Sequence, residues 1–428
     1  MSKSPIVFHS VPEVMESLKG AKRIVTAMAA AEPEGFFQHL SGPTGKHLQG
    51  SRVYCANPTA AYDCLSENGK ELGIEFMMMF LTAHVRNHQS HGHIFYVPQH
   101  LSQWVDHLIQ HDPIDVFWGV CTPPDDRGFV SLGPGACYES QIRRKARKVV
   151  LEVNPDLPMT FGDTHVGVSE VDFFIDHPRE VPTIPRNLPM DVDHSIADHI
   201  APLIPDGATL QLGIGGIPDA LGKALAKKRD LGIHTEMIND TMMDLYLSGA
   251  VTGRAKTLWP GKIVGSFALG TKNLYDFIDK NPVVELQPSS VVNDPYRIGR
   301  NHNMVSINTA VELDFTGQVC SESVGHRELS GVGGASETHI GAQRSKGGRG
   351  IIALRSTTKQ GTSKIVSSLT PGAKVSISRN DVDTVVTEHG IAELKGCSVK
   401  ERVLALISIA APEFRQNLLE DARKWHYV

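Results

Sequence analysis

The segment "TLQLGIGGIPDALGKAL" (residues 209–225) has the pattern of a β-strand, a glycine-rich turn and an α-helix. Pro218 falls in the first turn of the predicted helix, where its missing N–H costs nothing. The N–H groups of the turn and the positive end of the helix would favour an anion or a developing oxyanion. This unit therefore predicts an α/β fold and marks one place where an anionic ligand could bind.

Elsewhere the chain alternates between strand-like and helix-like segments. Three short segments rich in β-branched and aromatic residues are predicted strands: "IDVFWGVC" (114–121), "KVVLEVN" (148–154) and "VDFFID" (171–176). Two segments with apolar residues at helical spacing are predicted helices: "PQHLSQWVDHLIQ" (98–110) and "DALGKALAKK" (219–228). Such alternation predicts parallel βαβ units and sheets covered by helices.

The length of 428 residues exceeds what one ordinary hydrophobic core accommodates, so two domains are expected. The segment "HPREVPTIPRNLPMDVD" (177–193) contains four prolines and little periodicity, and a strand–turn–helix unit follows it. We therefore predict an N-terminal domain at residues 1–188 and a C-terminal domain at residues 189–428.

The composition excludes several classes of protein. A net charge of -5 argues against nucleic acid as a partner, because phosphate binding requires a clustered basic surface. The longest apolar runs are shorter than the roughly 20 residues that span a bilayer, and the N-terminus lacks the features of a signal peptide. The six cysteines have no C-x-x-C spacing, so we expect reduced thiols and a cytoplasmic location.

Two glycine-rich segments are candidate ligand sites. In the first, Gly213 and Gly215 with Glu236 partly match a dinucleotide fingerprint, but Pro218 occupies the position of the third glycine. A nucleotide site and a tight turn without a ligand therefore remain as alternatives. The second segment, "ELSGVGGASETHIGAQRSKGGRGIIAL" (328–354), contains basic residues that would suit an anionic ligand or would simply be solvated: Arg344, Lys346 and Arg349.

Glu236, in "GIHTEMINDTMMDL" (232–245), is a carboxylate where a chain of this kind normally buries aliphatic residues. Taken alone it would more often be a helix cap or an ion-pair partner than a nucleophile. His234 would share a face with Glu236 on a strand, yet no third ligand with zinc spacing is evident. We therefore predict no metal site.

Many segments in order resemble the acetyl-CoA hydrolase/transferase family, especially butyryl-CoA and 4-hydroxybutyrate CoA-transferases. The resemblance covers most of the chain. Its motifs include "PPDDRGFVSLG" (123–133), "LPMTFGDTHVGVSEVDFFIDH" (157–177), "GATLQLGIGGIPDAL" (207–221), "DLGIHTEM" (230–237), "LGTKNLYDFIDKNP" (269–282), "VNDP" (292–295), "NMVSIN" (303–308), "GQVCSES" (317–323), "SGVGG" (330–334) and "SRNDVDTVVTEHGIAELKG" (378–396).

The resemblance implies two CoA-transferase-type α/β domains with mostly parallel sheets and an active site between them. It also implies an enzyme that moves coenzyme A from an acyl-CoA to a carboxylic acid, as a homodimer or homotetramer. Glu236 would be the catalytic nucleophile and would form a glutamyl-CoA thioester. The oxyanion and substrate contacts would be Asn293, Gly333 and Gly334, and the CoA contacts would be Gly213, Ile214, Gly215, Gly216, Ile217, Gly331 and Lys359.

The chain departs from the family pattern at two places. Ala335, Glu337 and Thr338 replace Gln, Asp and Phe of a "GGQ-x-D-F" run, and Thr241 stands where many members have Gly. We expect both changes to border the acyl pocket and to favour an acid other than butyrate or 4-hydroxybutyrate. A short dicarboxylate such as itaconate or succinate would suit a pairing with Arg344. An acyl-CoA hydrolase using the same Glu, and a non-catalytic CoA-binding or nucleotide-binding protein, remain as alternatives.

Overall fold

The structure is a computed structural model that describes residues 7–428, apart from the side chains of Ser90 and His111. The chain forms two compact units. The first contains residues 7–184 and Gly265–Val291, and the second contains Pro185–Val264 and Val292–Val428. The segment Gly265–Val291, which the sequence prediction placed in the C-terminal domain, thus belongs to the first unit.

The first unit is built on an eight-stranded sheet in which all neighbouring strands are parallel. In chain order its strands are β1 (Phe8–His9), β2 (Arg23–Thr26), β3 (Arg52–Ala56), β4 (Glu75–Phe80), β5 (Ile94–Tyr96), β6 (Ile114–Cys121), β7 (Ala146–Val153) and β8 (Phe173–Asp176). Their order across the sheet is β1-β8-β7-β6-β2-β3-β4-β5. The central strand β6 is buried along nearly its whole length, as expected where both faces of a parallel sheet are covered.

In the second unit, seven strands form a sheet that is parallel except at one edge. These strands are β9 (Thr209–Leu212), β10 (Gly232–His234), β11 (Ile263–Gly265), β12 (Met304–Asn308), β13 (Arg349–Ala353), β14 (Thr384–Thr387) and β15 (Gly390–Glu393). Their order is β11-β10-β9-β12-β13-β14-β15, and only β15 runs antiparallel to its neighbour.

Helices connect the strands in both units. They are α1 (Val11–Ser17), α2 (Glu34–Leu40), α3 (Trp104–His111), α4 (Glu139–Arg143), α5 (Asp191–Ile200), α6 (Gly216–Leu225), α7 (Asp240–Leu247), α8 (Lys272–Ile278), α9 (Ser289–Val292), α10 (Pro295–Ile298), α11 (Ala335–Arg344), α12 (Val399–Ile409) and α13 (Pro412–Lys424). Short 3₁₀ helices cover Ala29–Ala31, Pro43–Leu48, Asp63–Leu65, Glu67–Leu72, Gln89–His91, Leu101–Gln103, Val168–Glu170 and Ala201–Leu203. Shorter strands cover Phe129–Ser131, His165–Gly167, Met237–Ile238, Phe267–Ala268, Val284–Leu286, Glu312–Asp314, Val319–Cys320, Ser323–Val324, Arg327–Glu328 and Ile365–Val366.

Each unit has its own hydrophobic core. In the first unit, Phe36 of α2 packs against Trp118 of β6 with ring centroids 4.8 Å apart, and both side chains are fully buried. In the second unit, Phe315 and Leu406 belong to a core formed by strands and by the C-terminal helices α12 and α13. Local signals begin several helices: Ser398 and Glu401 form a capping box at the start of α12.

The predicted α/β class with large, mostly parallel sheets is confirmed. The three strands predicted from the sequence correspond to β6, β7 and β8, and the two predicted helices correspond to α3 and α6. Pro218 is the third residue of α6, in its first turn as predicted. Among the described residues, no helix is both long enough and apolar enough to cross a membrane.

Candidate active site

Glu236 lies in the second unit, just beyond the carboxyl end of β10. The strand ends at His234, and Thr235 continues the pairing through a hydrogen bond from its N–H to the carbonyl of Val264. Glu236 then precedes the short strand Met237–Ile238 and is partly exposed. Ligands of open α/β sheets bind outside the carboxyl ends of the strands, so this is a favourable place for a reactive group.

Two donors from different parts of the chain converge on one oxygen of Glu236. The backbone N–H of Gly334 donates to Oε2 at 2.8 Å, and Nδ2 of Asn293 approaches the same atom at 3.3 Å. The sequence segments around Glu236, Asn293 and Gly334 are thus brought together by the fold. The hydrogen bonds of this carboxylate to described residues both end on Oε2, which leaves Oε1 as the oxygen available to a substrate.

The glycine pair at 333–334 is required by this geometry. Gly333 adopts a φ of 53°, a left-handed conformation that glycine adopts readily. A Cβ on Gly334 would lie 1.9 Å from Nδ2 of Asn293 and 2.4 Å from Oε2 of Glu236. Only glycine therefore lets the backbone come this close to the carboxylate. The helix α11 begins at the next residue, so its positive end is directed towards Glu236.

Burial raises the pKa of Glu236 from 4.5 to about 7, although the hydrogen bonds from Gly334 and Asn293 act in the opposite direction. Desolvation disfavours the charged form, whereas donors to the carboxylate favour it. At neutral pH the group is thus divided between its two protonation states. A poorly solvated carboxylate is also a stronger nucleophile than one surrounded by water.

His234 and Lys256 support the strand that leads to Glu236. The ring of His234 is buried, and its Nε2 lies 2.9 Å from the carbonyl oxygen of Val292, to which it must donate. Nζ of Lys256 donates to the carbonyls of Ile233 at 2.7 Å and Lys262 at 2.8 Å. Burial lowers the pKa of His234 to about 4, with a further contribution from Lys256, and burial lowers the pKa of Lys256 to about 7. His234 is therefore a neutral hydrogen-bond donor at neutral pH.

The first glycine loop, Gly213 to Ile217, packs against Asp193 on one side and is open on the other. A Cβ on Gly216 would lie 2.3 Å from Oδ2 of Asp193, whose buried carboxylate forms a bidentate ion pair with Arg355 at 2.9 and 2.8 Å. At Gly213 and Gly215 an added Cβ would meet no atom within 4 Å, so the upper side of the loop is open. The loop thus presents its backbone to open space at the start of α6.

Asn239 links this loop to the segment of Glu236. Its Nδ2 donates to the carbonyl of Gly213 at 2.9 Å, while its Oδ1 caps α7 by accepting from the N–H of Met242. The sequence analysis did not single out Asn239. Its position directly before a helix is a signal that could have found it, because Asn is a favoured N-cap residue.

A buried polar network holds the start of α11 against the sheet. The Oγ of Ser306 donates to Gln211 at 2.6 Å and lies 3.1 Å from Oγ1 of Thr338, and Asn308 contacts all three. Gln211 and Ser306 are on neighbouring strands β9 and β12, and Thr338 is in the first turn of α11. Thr338, one of the departures from the family pattern, therefore helps to fix the helix whose N-terminus faces Glu236.

Several residues that the sequence analysis associated with the ligand lie elsewhere. Arg344 is the last residue of α11, and Lys346 follows it. At a rise of about 1.5 Å per residue, the helix places Arg344 about 15 Å from Gly334. Arg344 lies over the ring of Tyr296, and Arg349 pairs with Glu393. Of the two alternatives for these basic residues, the contacts of Arg344 and Arg349 favour a role outside the ligand site, and they do not support the suggested pairing of Arg344 with a second carboxylate.

Other predicted residues take less central positions. Lys359 lies exposed in a turn closed by the hydrogen bond from Gly361 to Thr358. The hydroxyl of Thr241 bonds to Asp219, so this residue joins α7 to α6. Arg186 forms ion pairs with both Asp240 and Asp244.

Within residues 7–428, the cysteines form no disulfide and the potential metal ligands form no cluster. The six cysteines are free, and burial raises the pKa of Cys55, Cys64 and Cys121 above the ordinary range. The part of the chain that the structure describes has no group of three or more His, Cys, Asp or Glu placed to hold a metal ion.

The sequence and the fold have clear counterparts among known proteins. Residues 8–185 match the acetyl-CoA hydrolase/transferase N-terminal domain, and residues 270–422 match the C-terminal domain of the same family. The chain therefore belongs to the acetyl-CoA hydrolase/transferase family. The prediction of this family from the sequence motifs is confirmed.

Curated relatives narrow the class of enzyme. The chain is 44% identical over 353 residues to a succinyl-CoA:cyclohexane-1-carboxylate CoA transferase of Geobacter metallireducens, covering 82% of this chain and 80% of that protein. It is 46% identical over 313 residues to a 4-hydroxybutyrate coenzyme A transferase of Clostridium kluyveri, covering 73% of each chain. An acetyl-CoA hydrolase of Neurospora crassa is more distant, with 26% identity over 378 residues, 77% of this chain and 70% of that protein.

The solved structure of RipA from Yersinia pestis has the same fold. It superposes with a TM-score of 0.93 at 34% identity and covers 98% of both chains. The prediction of an enzyme of the CoA-transferase type is confirmed by the curated relatives, which are named CoA-transferases.

Replacing Gly334 by Ala should lower kcat about a hundredfold or more, because the new methyl group would displace Asn293 or Glu236 from their hydrogen bonds. Steady-state kinetics and thermal unfolding would measure the effect on activity and on the fold. Gly42→Ala is the control for a milder crowding: its Cβ would lie 3.3 Å from the carbonyl oxygen of His39, a tight contact without overlap, and its φ of -87° suits alanine. A Gly334→Ala enzyme with full kcat would contradict the close packing described here.

Glu236→Gln should stabilise the protein at pH 8 and have little effect below pH 4.5. Folding raises the pKa of Glu236 from its ordinary value of 4.5 to about 7. The wild-type protein therefore becomes less stable as the pH rises from 4.5 to about 7, because the folded state disfavours the charged carboxylate. The Gln side chain is uncharged at every pH and avoids this loss. We expect a difference of about 1–3 kcal/mol at pH 8, discounted for the partial exposure of the side chain.

Thermal unfolding midpoints of the variant and the wild type at pH 4.5 and pH 8 would measure this effect. Glu413→Gln, at an exposed position of α13, serves as the control for a loss of charge at the surface. An equal difference at both pH values would show that Glu236 is not desolvated as described.

Proposed function

We propose that the protein transfers CoA from an acyl-CoA to a short-chain carboxylic acid by a ping-pong mechanism through a glutamyl-CoA thioester on Glu236. The observation that carries this proposal is the pair of donors on Oε2 of Glu236, which leaves Oε1 free in a chain whose relatives are CoA-transferases. Covalent capture by the carboxylate preserves the energy of the thioester while the acyl groups are exchanged.

In the first half of the reaction, Oε1 of Glu236 attacks the carbonyl carbon of the acyl-CoA. The bond from that carbon to sulfur breaks, and the products are a mixed anhydride and CoA thiolate. The thiolate then attacks the Cδ carbon of Glu236, and the bond from Cδ to Oε1 breaks. The first acid leaves as its carboxylate, which carries Oε1, and Glu236 is left as a thioester of CoA.

The second half reverses these steps with another acid. The incoming carboxylate attacks Cδ of the thioester and expels the thiolate, which gives a new anhydride. The thiolate then attacks the acyl carbon of that anhydride and forms the new acyl-CoA. Glu236 is released as a carboxylate that carries one oxygen from the second acid, and no net proton transfer is needed.

Oε2 remains on Cδ in every one of these steps. The two attacks at Cδ each give a tetrahedral intermediate with negative charge on Oε2. The N–H of Gly334 and the amide of Asn293 lie within hydrogen-bond distance of this oxygen. A well-placed donor of this kind lowers such a barrier by about 3–4 kcal/mol. The positive end of α11 acts in the same direction. Gly333 would contribute by turning the chain so that the next N–H faces Glu236.

The CoA-binding part of the proposal rests on the first glycine loop. Gly213, Ile214, Gly215, Gly216 and Ile217 form an open loop at the N-terminus of α6, where backbone N–H groups favour an anionic or polar part of CoA. Gly331 and Lys359 remain proposed contacts from family resemblance. Binding energy from remote parts of CoA can be used to promote reaction at the thioester.

The acid is proposed at the level of class. Butyrate-like and 4-hydroxybutyrate-like acids remain candidates, as do short dicarboxylates such as itaconate or succinate, although Arg344 no longer supports the latter. Homo-oligomeric assembly and a cytoplasmic location are part of the same proposal. The alternative function is hydrolysis of an acyl-CoA through the same Glu236, which the more distant hydrolase relatives favour.

An intact-mass measurement should detect the covalent intermediate. The full-length protein mixed with butyryl-CoA should gain the mass of CoA less one water, because a thioester forms on Glu236 with loss of one carboxylate oxygen. Glu236→Gln should gain nothing, and Glu413→Gln should behave as wild type. Adduct formation on the Gln variant would rule out Glu236 as the acceptor of CoA.

The same reaction run with and without acetate distinguishes the two functions. With acetate in large excess, a transferase should convert most of the butyryl-CoA to acetyl-CoA. Without acetate it should consume no more butyryl-CoA than its own active sites can capture. Equal consumption without acetate, with no acetyl-CoA formed when acetate is added, would favour the hydrolase.

The first half-reaction should depend on pH through Glu236. Only the ionised carboxylate attacks, so kcat/KM for butyryl-CoA should fall as the pH drops through about 7, the raised pKa of Glu236. Asn293→Ala should move this inflection to higher pH, because the amide stabilises the charged form. A pH–rate profile unchanged from pH 5 to pH 8 would contradict the assignment of Glu236 as nucleophile.

A further inference from the structure

The side chain of Asn293 is buried and has little to orient it. The residue is fully buried, and its Nδ2 contacts Glu236 at 3.3 Å, while its Oδ1 is buried and has no hydrogen-bond partner among the described residues. One contact cannot set both the direction of the amide and its distance from Glu236. The backbone on either side of Asn293 must therefore position this side chain.

On its C-terminal side, the backbone is held by a helix. Oδ1 of Asp294 accepts from the N–H of Tyr296, and the carbonyl of Asp294 accepts from Ile298 in α10. On its N-terminal side, the carbonyl of Val292 is the acceptor of the buried His234 ring at 2.9 Å. Asn293 thus lies between a capped helix and the hydrogen bond from His234.

His234 and Glu236 lie two residues apart on one segment, and Val292 and Asn293 are adjacent on another. Two hydrogen bonds therefore connect these segments, one from His234 to the carbonyl of Val292 and one from Asn293 to Glu236. Loss of the donor to the buried carbonyl of Val292 would cost free energy, so the arrangement with both hydrogen bonds is favoured. Nδ1 of His234 has no hydrogen-bond partner within the described chain, which leaves the Val292 bond to orient the ring.

Lys256 sets the position of the strand that carries His234. Its Nζ bonds to the carbonyl of Ile233, the residue before His234, and its stem passes Gly232. A Cβ on Gly232 would lie 2.3 Å from Cγ of Lys256, so the glycine makes room for this side chain. The ring of His234 also lies beside Trp259, with centroids 6.0 Å apart. His234 is therefore fixed by packing and can transmit its position to Val292.

We infer that His234 is a positioning residue for the reaction: through the carbonyl of Val292 it places the amide of Asn293 against Oε2 of Glu236. This inference rests on the proposed function, since it concerns the donor that stabilises charge on Oε2. His234 itself does not touch the substrate or exchange a proton. It acts through the backbone of the neighbouring segment.

A double-mutant cycle tests this coupling. The rate of glutamyl-CoA formation from acetyl-CoA is measured by intact mass in a single turnover, with the full-length wild type, His234→Leu, Asn293→Ala and the double variant. We expect about a tenfold loss for His234→Leu and about a hundredfold loss for Asn293→Ala. The double variant should stay within about threefold of Asn293→Ala alone, because residues that act through one contact are not additive.

Two further variants separate positioning from stability. His234→Gln keeps an N–H donor on a side chain of comparable reach, so its rate should be within about threefold of wild type. Thr387→Val is the control, since the buried Thr387 hydroxyl also donates to a backbone carbonyl, that of Ile409 at 2.6 Å, in the same unit. It should lower the unfolding midpoint without changing the rate. In steady-state measurements, His234→Leu should lower kcat and leave KM within about threefold.

The outcomes are distinguishable. A double variant that loses about a thousandfold, the product of the single losses, would overturn the positioning role while leaving the proposed function intact. A His234→Gln rate as low as that of His234→Leu would likewise overturn the role of the hydrogen bond. Full activity of Asn293→Ala would show that Asn293 does not act as a donor in the proposed function. His234 would then have no donor to position, and the positioning role would also be overturned.

Discussion

The hydrogen bond from the backbone N–H of Gly334 to Oε2 of Glu236 is the contact on which the candidate site depends. It joins the end of β10 to the start of α11, two elements that are about a hundred residues apart in the chain. The contact requires a glycine at 334, because any side chain there would occupy the space of the carboxylate and of Asn293. A backbone donor also keeps its position when the charge on the carboxylate changes, which is the property that an oxyanion site needs.

The surrounding structure holds this contact in place although burial disfavours the charged form of Glu236. Desolvation raises the pKa of Glu236, and the hydrogen bonds from Gly334 and Asn293 oppose that rise. The donors are in turn supported: the polar network of Gln211, Ser306, Asn308 and Thr338 fixes α11, and the capped helix α10 follows Asn293. A carboxylate that is partly desolvated yet well oriented is poised to react, whereas a fully hydrated one is not.

Much of the fold could be predicted from local patterns. Continuous apolar runs such as residues 114–121 predict buried parallel strands, and the turn at 213–217 followed by Pro218 predicts the start of α6. The boundary of the first unit could not be predicted in this way, because the segment Gly265–Val291 joins that unit through contacts distant in sequence. The basic residues at 344–349 show the same limit. They follow the glycine cluster closely in the sequence, yet the ten residues of α11 carry them away from it.

The sequence by itself determined the α/β class, the family, and the identity of Glu236, Asn293 and Gly334 as residues of interest, since these depend on residue types and motif order. Their catalytic roles remain predictions. Only the tertiary structure decided that Asn293 and Gly334 share one oxygen of Glu236, that His234 binds the carbonyl of Val292, and that Thr241 and Arg344 face other partners. The reason is physical: hydrogen bonds depend on distances of a few tenths of an ångström between atoms that sheet order and helix packing bring together, and spacing along the chain does not encode these distances.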